Sequence, residues 1–119
     1  MSDAKTYTGG CHCGAVRYTA KIALSTVMEC NCSLCRRRGW LLTFVPAEDF
    51  TLERGEEALT EYRFHKKLIR HLCCRVCGVQ SFGRGEAPGG KAMVAVNVRC
   101  LDGVDVSSLP VKQVDGASL

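Results

Sequence analysis

Gly10-Cys11-His12-Cys13-Gly14-Ala15-Val16 sets two thiols one residue apart near the start of the chain, and Cys73-Cys74-Arg75-Val76-Cys77-Gly78 supplies their counterpart in its later half. Residues i and i+2 of an extended segment point to one side, so Cys11 and Cys13 can offer both sulfurs to one metal ion. Cys74-x-x-Cys77-Gly78 is a knuckle of the kind zinc ribbons use, with glycine allowing the turn that brings the two sulfurs round. Between these segments lies Cys30-Asn31-Cys32-Ser33-Leu34-Cys35, in which Cys30 and Cys32 repeat the i, i+2 arrangement and Cys35 adds a third thiol. The spacing predicts zinc, held by loops at the ends of short strands.

Counting ligands divides the cysteines. A closed structural zinc site takes four protein ligands, whereas a reactive one commonly takes three and leaves a position open. Cys11, Cys13, Cys74 and Cys77 make a closed structural site that ties the N-terminal segment to the later half of the chain. Cys30, Cys32 and Cys35 make a second, open one. Spacing leaves an alternative, because Cys73 or Cys100 could give the triplet a fourth thiolate and close it. Otherwise Cys73 and Cys100 read as small buried hydrophobes. His12, between two ligands, is expected to point away from the metal, and His71 reads as a surface or packing residue.

Composition agrees with one small β-rich domain over residues 1–119: 46% of the residues are apolar and 24% charged. The longest apolar runs, Trp40 to Ala47 and Ala92 to Val98, are strand-sized and far short of the ~20 residues of a membrane helix. The opening residues Met1 to Tyr7 hold no apolar segment that could serve as a secretory signal, so a cytoplasmic protein is expected. A reducing compartment turns dense cysteine clusters towards metal binding, and nine cysteines cannot all pair internally. The formal charge of +4 counts every thiol as neutral. Seven thiolates on two Zn²⁺ would lower it to about +1, which removes most of the case for nucleic acid.

Strands are expected around Val16 and Tyr18, Val27 to Cys30, Leu41 to Val45, Leu68 to Leu72, Gln80 to Gly83 and Met93 to Val98. Thr51 to Glu53 and Leu59 to Phe64 flank Arg54-Gly55-Glu56-Glu57 like a hairpin, with Tyr62 and Phe64 on one face. Ala47 to Phe50 reads as a turn, Gly85 to Gly90 with Pro88 as a mobile loop, and Ser107 to Leu109 as one helical turn. Two basic groups stand out: Arg36-Arg37-Arg38 directly after the triplet, and Lys66-Lys67 with Arg70. Arginines beside three thiolates on one Zn²⁺ would offset the net negative charge and could bind an anionic substrate. Trp40, Phe44, Tyr62, Phe64 and Phe82 read mainly as core. Glu29, Asp49 and Asp102 have surface or turn explanations, so no general acid or base stands out.

Taken together, Gly10-Cys11-His12-Cys13-Gly14-Ala15-Val16, Cys30-x-Cys32-x-x-Cys35 and Cys74-x-x-Cys77-Gly78-Val79-Gln80-Ser81-Phe82 resemble the glutathione-dependent formaldehyde-activating enzyme family, which includes centromere protein V. The resemblance runs from Gly9 to about Leu109. It implies a mainly β fold, a β-tent of small antiparallel sheets with zinc knuckles, and two zinc ions per chain. Cys11, Cys13, Cys74 and Cys77 match the structural ligands, and Cys30, Cys32 and Cys35 match the catalytic ones. The implied activity is the condensation of formaldehyde with glutathione, as co-substrate, to give S-hydroxymethylglutathione, classed in reverse as that of a carbon–sulfur lyase. Arg36, Arg37 or Arg38 would clamp a glutathione carboxylate. The competing reading is a non-catalytic zinc module that binds protein through its basic groups. A membrane partner is not expected, nor is nucleic acid, for which the sequence has no reading helix and no basic strand interleaved with aromatics.

Overall fold

Side chains alternate between the faces of a strand, so a strand apolar at every position has both faces covered. Val94, Ala95, Val96 and Asn97 are such a run, all buried. A computed structural model of the chain describes residues 4–63, 69–87 and 89–118. Its strands are β1 (Lys5–Gly10), β2 (Arg17–Ile22), β3 (Val27–Cys30), β4 (Leu42–Pro46), β5 (Phe50–Arg54), β6 (Leu59–Tyr62), β7 (Arg70–Cys74), β8 (Phe82–Glu86), β9 (Ala92–Asn97) and β10 (Val111–Val114), with one short helix, α1 (Cys35–Arg38). β1-β2-β5 form a three-stranded sheet, and β10-β3-β4-β9-β8-β7-β6 form a seven-stranded one. The described pairs are antiparallel except β10 on β3, which run parallel. The architecture is the expected mainly β one. No described helix is long and apolar enough to cross a membrane.

The main core lies between the two sheets. Val16, Tyr18 and Ile22 meet Val27, Phe82, Val94 and Val96 there, all essentially inaccessible to solvent. The rings of Tyr18 and Phe82 flank Phe50 at centroid distances of 4.9 and 4.8 Å. The Tyr18 hydroxyl donates to the Ser81 carbonyl at 3.0 Å, which satisfies the buried phenol. Residues of opposite parity point to the outer face of the large sheet, where Cys35, Trp40, Leu42 and Ala95 form a second, smaller cluster. Both faces of β9 are thus covered, as its composition requires.

The hairpin expected across Arg54 to Glu57 does not form. β5 pairs with β2, through Tyr18↔Leu52 and Ala20↔Phe50, while β6 pairs with β7 in the other sheet. Gly55 is the pivot: its φ is +99°, and a Cβ there would lie 2.2 Å from the Ala15 carbonyl oxygen. A 3₁₀ turn over Glu56–Ala58 then redirects the chain. The strand expected at Gln80 begins at Phe82, because the Gln80 and Ser81 carbonyls are taken by the side-chain and backbone N–H groups of Asn97. Tyr62 and Phe44 are half-exposed rather than core, while Trp40 and Phe82 are buried. Ala47–Asp49 and Val106–Ser108 form the expected turns, both 3₁₀. Phe64, Lys66, Lys67, Leu68 and Pro88 lie outside the described residues.

Candidate functional site

The loop between β1 and β2 carries Cys11 and Cys13, and the turn after β7 carries Cys74 and Cys77. Gly78, at φ +82°, closes that turn, and its N–H donates to the Cys74 carbonyl at 2.8 Å. The four sulfurs all lie within 4.8 Å of one another, with Cys11–Cys13 and Cys13–Cys74 separations of 3.6 Å. Tetrahedral zinc with Zn–S bonds of about 2.3 Å needs sulfurs about 3.8 Å apart, so the donor set fits. His12 is exposed, as expected of a residue between two inward-pointing thiols.

Backbone amides prepare these sulfurs to carry charge. The Val16 N–H donates to Cys11 Sγ at 3.3 Å. Burial works against a thiolate at Cys77, yet the backbone N–H groups of Val79, Cys13 and His12, with the Cys74 thiol, pull its pKa down to about 6. Cys13 goes the other way: the Ala15 N–H lowers it, but burial and three neighbouring sulfurs push it up to about 11. Four thiolates at neutral pH therefore require a cation among them.

The second cluster lies at the end of β3 and the start of α1. Cys30, Cys32 and Cys35 place their sulfurs within 4.8 Å of one another, and no fourth His, Cys, Asp or Glu among the described residues joins them. The Cys32 and Cys35 N–H groups donate to Cys30 Sγ and Cys32 Sγ at 3.5 and 3.4 Å. Burial opposes a thiolate at Cys32, but the Cys35 and Leu34 amides and the adjacent thiols lower its pKa. Burial raises Cys35 to about 12, against a lowering from the Trp40 indole N–H. Trp40 Nε1 is fully buried without a completed hydrogen bond, a donor that a charged Cys35 sulfur would satisfy. Three sulfurs ringed by backbone amides and a buried indole N–H fit thiolates gathered on a soft cation.

The cysteines weighed as a fourth ligand are engaged elsewhere. Arg38 Nη1 donates to Cys73 Sγ at 2.6 Å and also to Gln80 Oε1. Cys100 lies against the Gln80 carbonyl at 3.9 Å, and burial pushes its thiol up to about 11. Gln80 passes the Arg38 contact on, its Nε2 facing His71 Nδ1 at 3.2 Å. Burial first, and Arg38 second, hold His71 down to about 4, so this histidine is neutral at physiological pH.

The triplet opens onto a cavity of about 1010 Å³ on the outer face of the large sheet. Register explains the hollow. Phe44, Ala95, Gly83 and His71 form one cross-strand row through β4, β9, β8 and β7, with its two smallest residues in the middle. Trp40 lies over that gap, 3.6 Å from where a Gly83 Cβ would stand. Met28, Leu42, Phe44, Ile69 and Met93 supply most of the remaining wall.

The C-terminal segment closes one side. β10 brings Val114 opposite Cys30, Asn31 Nδ2 donates to Asp115 Oδ1 at 3.0 Å, and the Ala117 N–H donates to Asn31 Oδ1 at 2.9 Å. Gly116 is so near that a Cβ would lie 2.3 Å from Cys30 Sγ. Neither β10 nor Gly116 stands out in the sequence, since the strand is four residues with mostly exposed side chains. The apolar wall did leave a trace, in strands β3, β4 and β9 that carry apolar residues of both parities.

Arg36, Arg37 and Arg38 do not line the cavity. Arg36 is exposed, Arg37 donates to the Ser33 carbonyl at 2.8 Å, and Arg38 holds Cys73 and Gln80. Two of the carboxylates have structural partners, Asp102 taking Arg17 and Thr8 and Glu29 taking Gln113 Nε2 at 2.9 Å, and Asp49 lies in the 3₁₀ turn over Ala47–Asp49.

A crystal structure of a Rhodobacter sphaeroides protein is similar to this chain at 32% identity and a TM-score of 0.76, covering 88% of this chain and 99% of that one. The family model described as glutathione-dependent formaldehyde-activating enzyme matches residues 6–114, a span that takes in both cysteine clusters, β10 and all of the cavity lining but Gly116 and Ala117. On that match the chain belongs to the glutathione-dependent formaldehyde-activating enzyme family.

Proposed function

We propose that residues 1–119 act as one cytoplasmic, zinc-dependent enzyme of the carbon–sulfur lyase type, working on a thiol adduct. The family's description supports glutathione and formaldehyde as the pair, and their adduct would be S-hydroxymethylglutathione. Cys11, Cys13, Cys74 and Cys77 would hold the structural zinc, and Cys30, Cys32 and Cys35 the catalytic one. When bound, zinc on three thiolates supplies a soft position that holds a fourth sulfur as thiolate and is a weak generator of hydroxide.

The observation that carries this reading is the triplet itself: three mutually adjacent sulfurs, no fourth ligand among the described residues, and a large cavity over them. The backbone amides on Cys30 and Cys32 and the Trp40 indole N–H offset the charge gathered there. A substrate seated in the cavity would displace water from around the reacting sulfur, which strengthens the electrostatic contacts to it. In the addition direction the thiol proton leaves to solvent and the sulfur lone pair forms the new bond to the carbonyl carbon. The C=O π pair moves onto oxygen, which takes up a proton, and lyase action is the reverse. Arg36 and Arg37, one helical turn from the triplet, would meet a substrate carboxylate that extends beyond the cavity.

The test is zinc content per chain in anaerobically purified protein, followed by X-ray absorption with and without glutathione. Two zincs per chain, one of which gains a sulfur from added thiol, are expected. Two closed four-sulfur sites indifferent to thiols would refute the reading and leave a zinc-binding interaction module.

A further inference from the structure

Charge separates the described wall of the cavity from the substrate that the family description suggests. Glutathione carries two carboxylates and an ammonium, so a site built for it needs cations and acceptors inside. The described wall has Met28, Trp40, Leu42, Phe44, Ile69 and Met93 instead. Arg84 and Glu86 also border the cavity, but they share the parity of Phe82 on β8, the opposite of Gly83 and Gly85. The Arg84 guanidinium accordingly lies over the Phe50 and Phe82 rings, 5.3 and 5.4 Å from their centroids. His71 is neutral, and the cations nearest the triplet in sequence, Arg36 to Arg38, are not in the wall.

A concave, mostly apolar wall with its few polar groups gathered at one end is the usual form of a site for a hydrophobic small molecule. Here the polar end is three cysteine sulfurs, which with a soft metal held among them would recognise another sulfur. We propose that the thiol this site takes is a compact apolar one, aryl-alkyl or branched alkyl, whose sulfur sits at Cys30, Cys32 and Cys35 and whose hydrocarbon body lies on Trp40, Leu42, Phe44 and Met93. The inference rests on the thiol-binding reading above and puts an apolar thiol in the place of glutathione, so that Arg36 and Arg37 would have no substrate carboxylate to meet. A phenyl-sized group that loses ~100 Å² of apolar surface to such a wall gains on the order of 50-fold in affinity.

Trp40 is the chain's one tryptophan and borders the cavity, so its fluorescence reports occupancy without any turnover. In full-length protein loaded with Co²⁺, the visible spectrum reports separately whether a sulfur reaches a metal. Phenylmethanethiol and glutathione are titrated with both signals recorded, on the wild type and on Phe44→Ser, a wall residue exposed enough to change without unfolding the core. Phenylmethanethiol is expected to bind at least 10-fold more tightly than glutathione, to change both signals, and to lose about fivefold in Phe44→Ser while the glutathione response stays as it was. Equal or tighter binding of glutathione, with the cobalt spectrum responding, would overturn the apolar substrate class and leave the thiol site standing. A cobalt spectrum indifferent to both thiols would overturn the thiol-binding reading and this inference with it.

Discussion

Gly116→Ala is the smallest change that tests whether the C-terminal segment shapes the triplet. The new Cβ would lie 2.3 Å from Cys30 Sγ and 3.4 Å from Cys32 Cβ, against an ordinary carbon–sulfur contact of well over 3 Å. Gly116 does not need a positive φ, so the cost is steric and not a matter of backbone preference. Relief requires a shift of about 1 Å, either of Cys30 or of the tail. The tail is held by the β3–β10 pairing and by the two Asn31 contacts, at Asp115 and Ala117. Overpacking of this kind typically costs about 1 to 3 kcal/mol. Because the strained atom is a ligand of the proposed site, that cost should fall on metal affinity there, as a loss of roughly 5- to 150-fold. Competition with a chromophoric zinc chelator resolves the two sites: the four-sulfur site should release zinc as in wild type, and the triplet should release it sooner. Unchanged affinity at both sites, with unchanged melting temperature, would refute the role given to Gly116.

Removing ligands should separate the two clusters. Cys74→Ser is expected to abolish cooperative unfolding, because Cys74 is buried and its cluster ties the β1–β2 loop to the end of β7. Cys32→Ser should lose one zinc per chain yet keep the circular dichroism of the fold. Tyr18→Phe leaves the Ser81 carbonyl with the Asn97 N–H as its one remaining donor and should cost about 1 kcal/mol by urea unfolding, with zinc content unaffected. Acid should act partly through His71. Its folded-state pKa of about 4 lies below the 6.5 of an ordinary histidine, so between those values the unfolded chain binds a proton that the folded chain refuses. Stability is therefore full above pH ~6.5 and falls as the pH drops towards 4, by at most about 3 kcal/mol from this residue. His71→Gln should flatten the slope of unfolding free energy across that window, and parallel slopes in the two proteins would count against it.

What the sequence made legible was whatever rests on spacing. Cys11-x-Cys13 and Cys74-x-x-Cys77 are local patterns, and a metal needs only that their sulfurs converge, which they do. Strands such as Val27–Cys30 follow from composition within a few residues. The Arg54–Glu57 connection misled because a short polar loop containing glycine looks the same whether it returns the chain within one sheet or passes it to another. Here the decision lies with the Ala15 carbonyl, pressed against Gly55 from a segment distant in sequence. The Arg36 to Arg38 run shows a related limit. Adjacency in sequence places the three beside the triplet, but one turn of helix sends successive side chains in different directions, and Arg38 ends on Cys73 and Gln80. β10 was invisible because an edge strand with exposed side chains shows no apolar alternation. It is fixed by backbone pairing to β3, a contact between chain ends that local pattern does not encode.

The same alternation that hides the cavity also explains why it can be specialised. Val94 and Val96 lock the two sheets together, while Ala95 and Met93, one position away, face the triplet. Substitutions at Met28, Leu42, Phe44, Met93 or Ala95 therefore change the cavity without touching the packing between sheets, and the four-sulfur cluster lies among residues of the other face. Metal chemistry and fold are thus set by one group of positions and the shape offered to a substrate by another. If the triplet takes a thiol as proposed, a chain built this way could keep its cysteine pattern while its thiol changes, with the outer face of β3, β4 and β9 choosing the substrate.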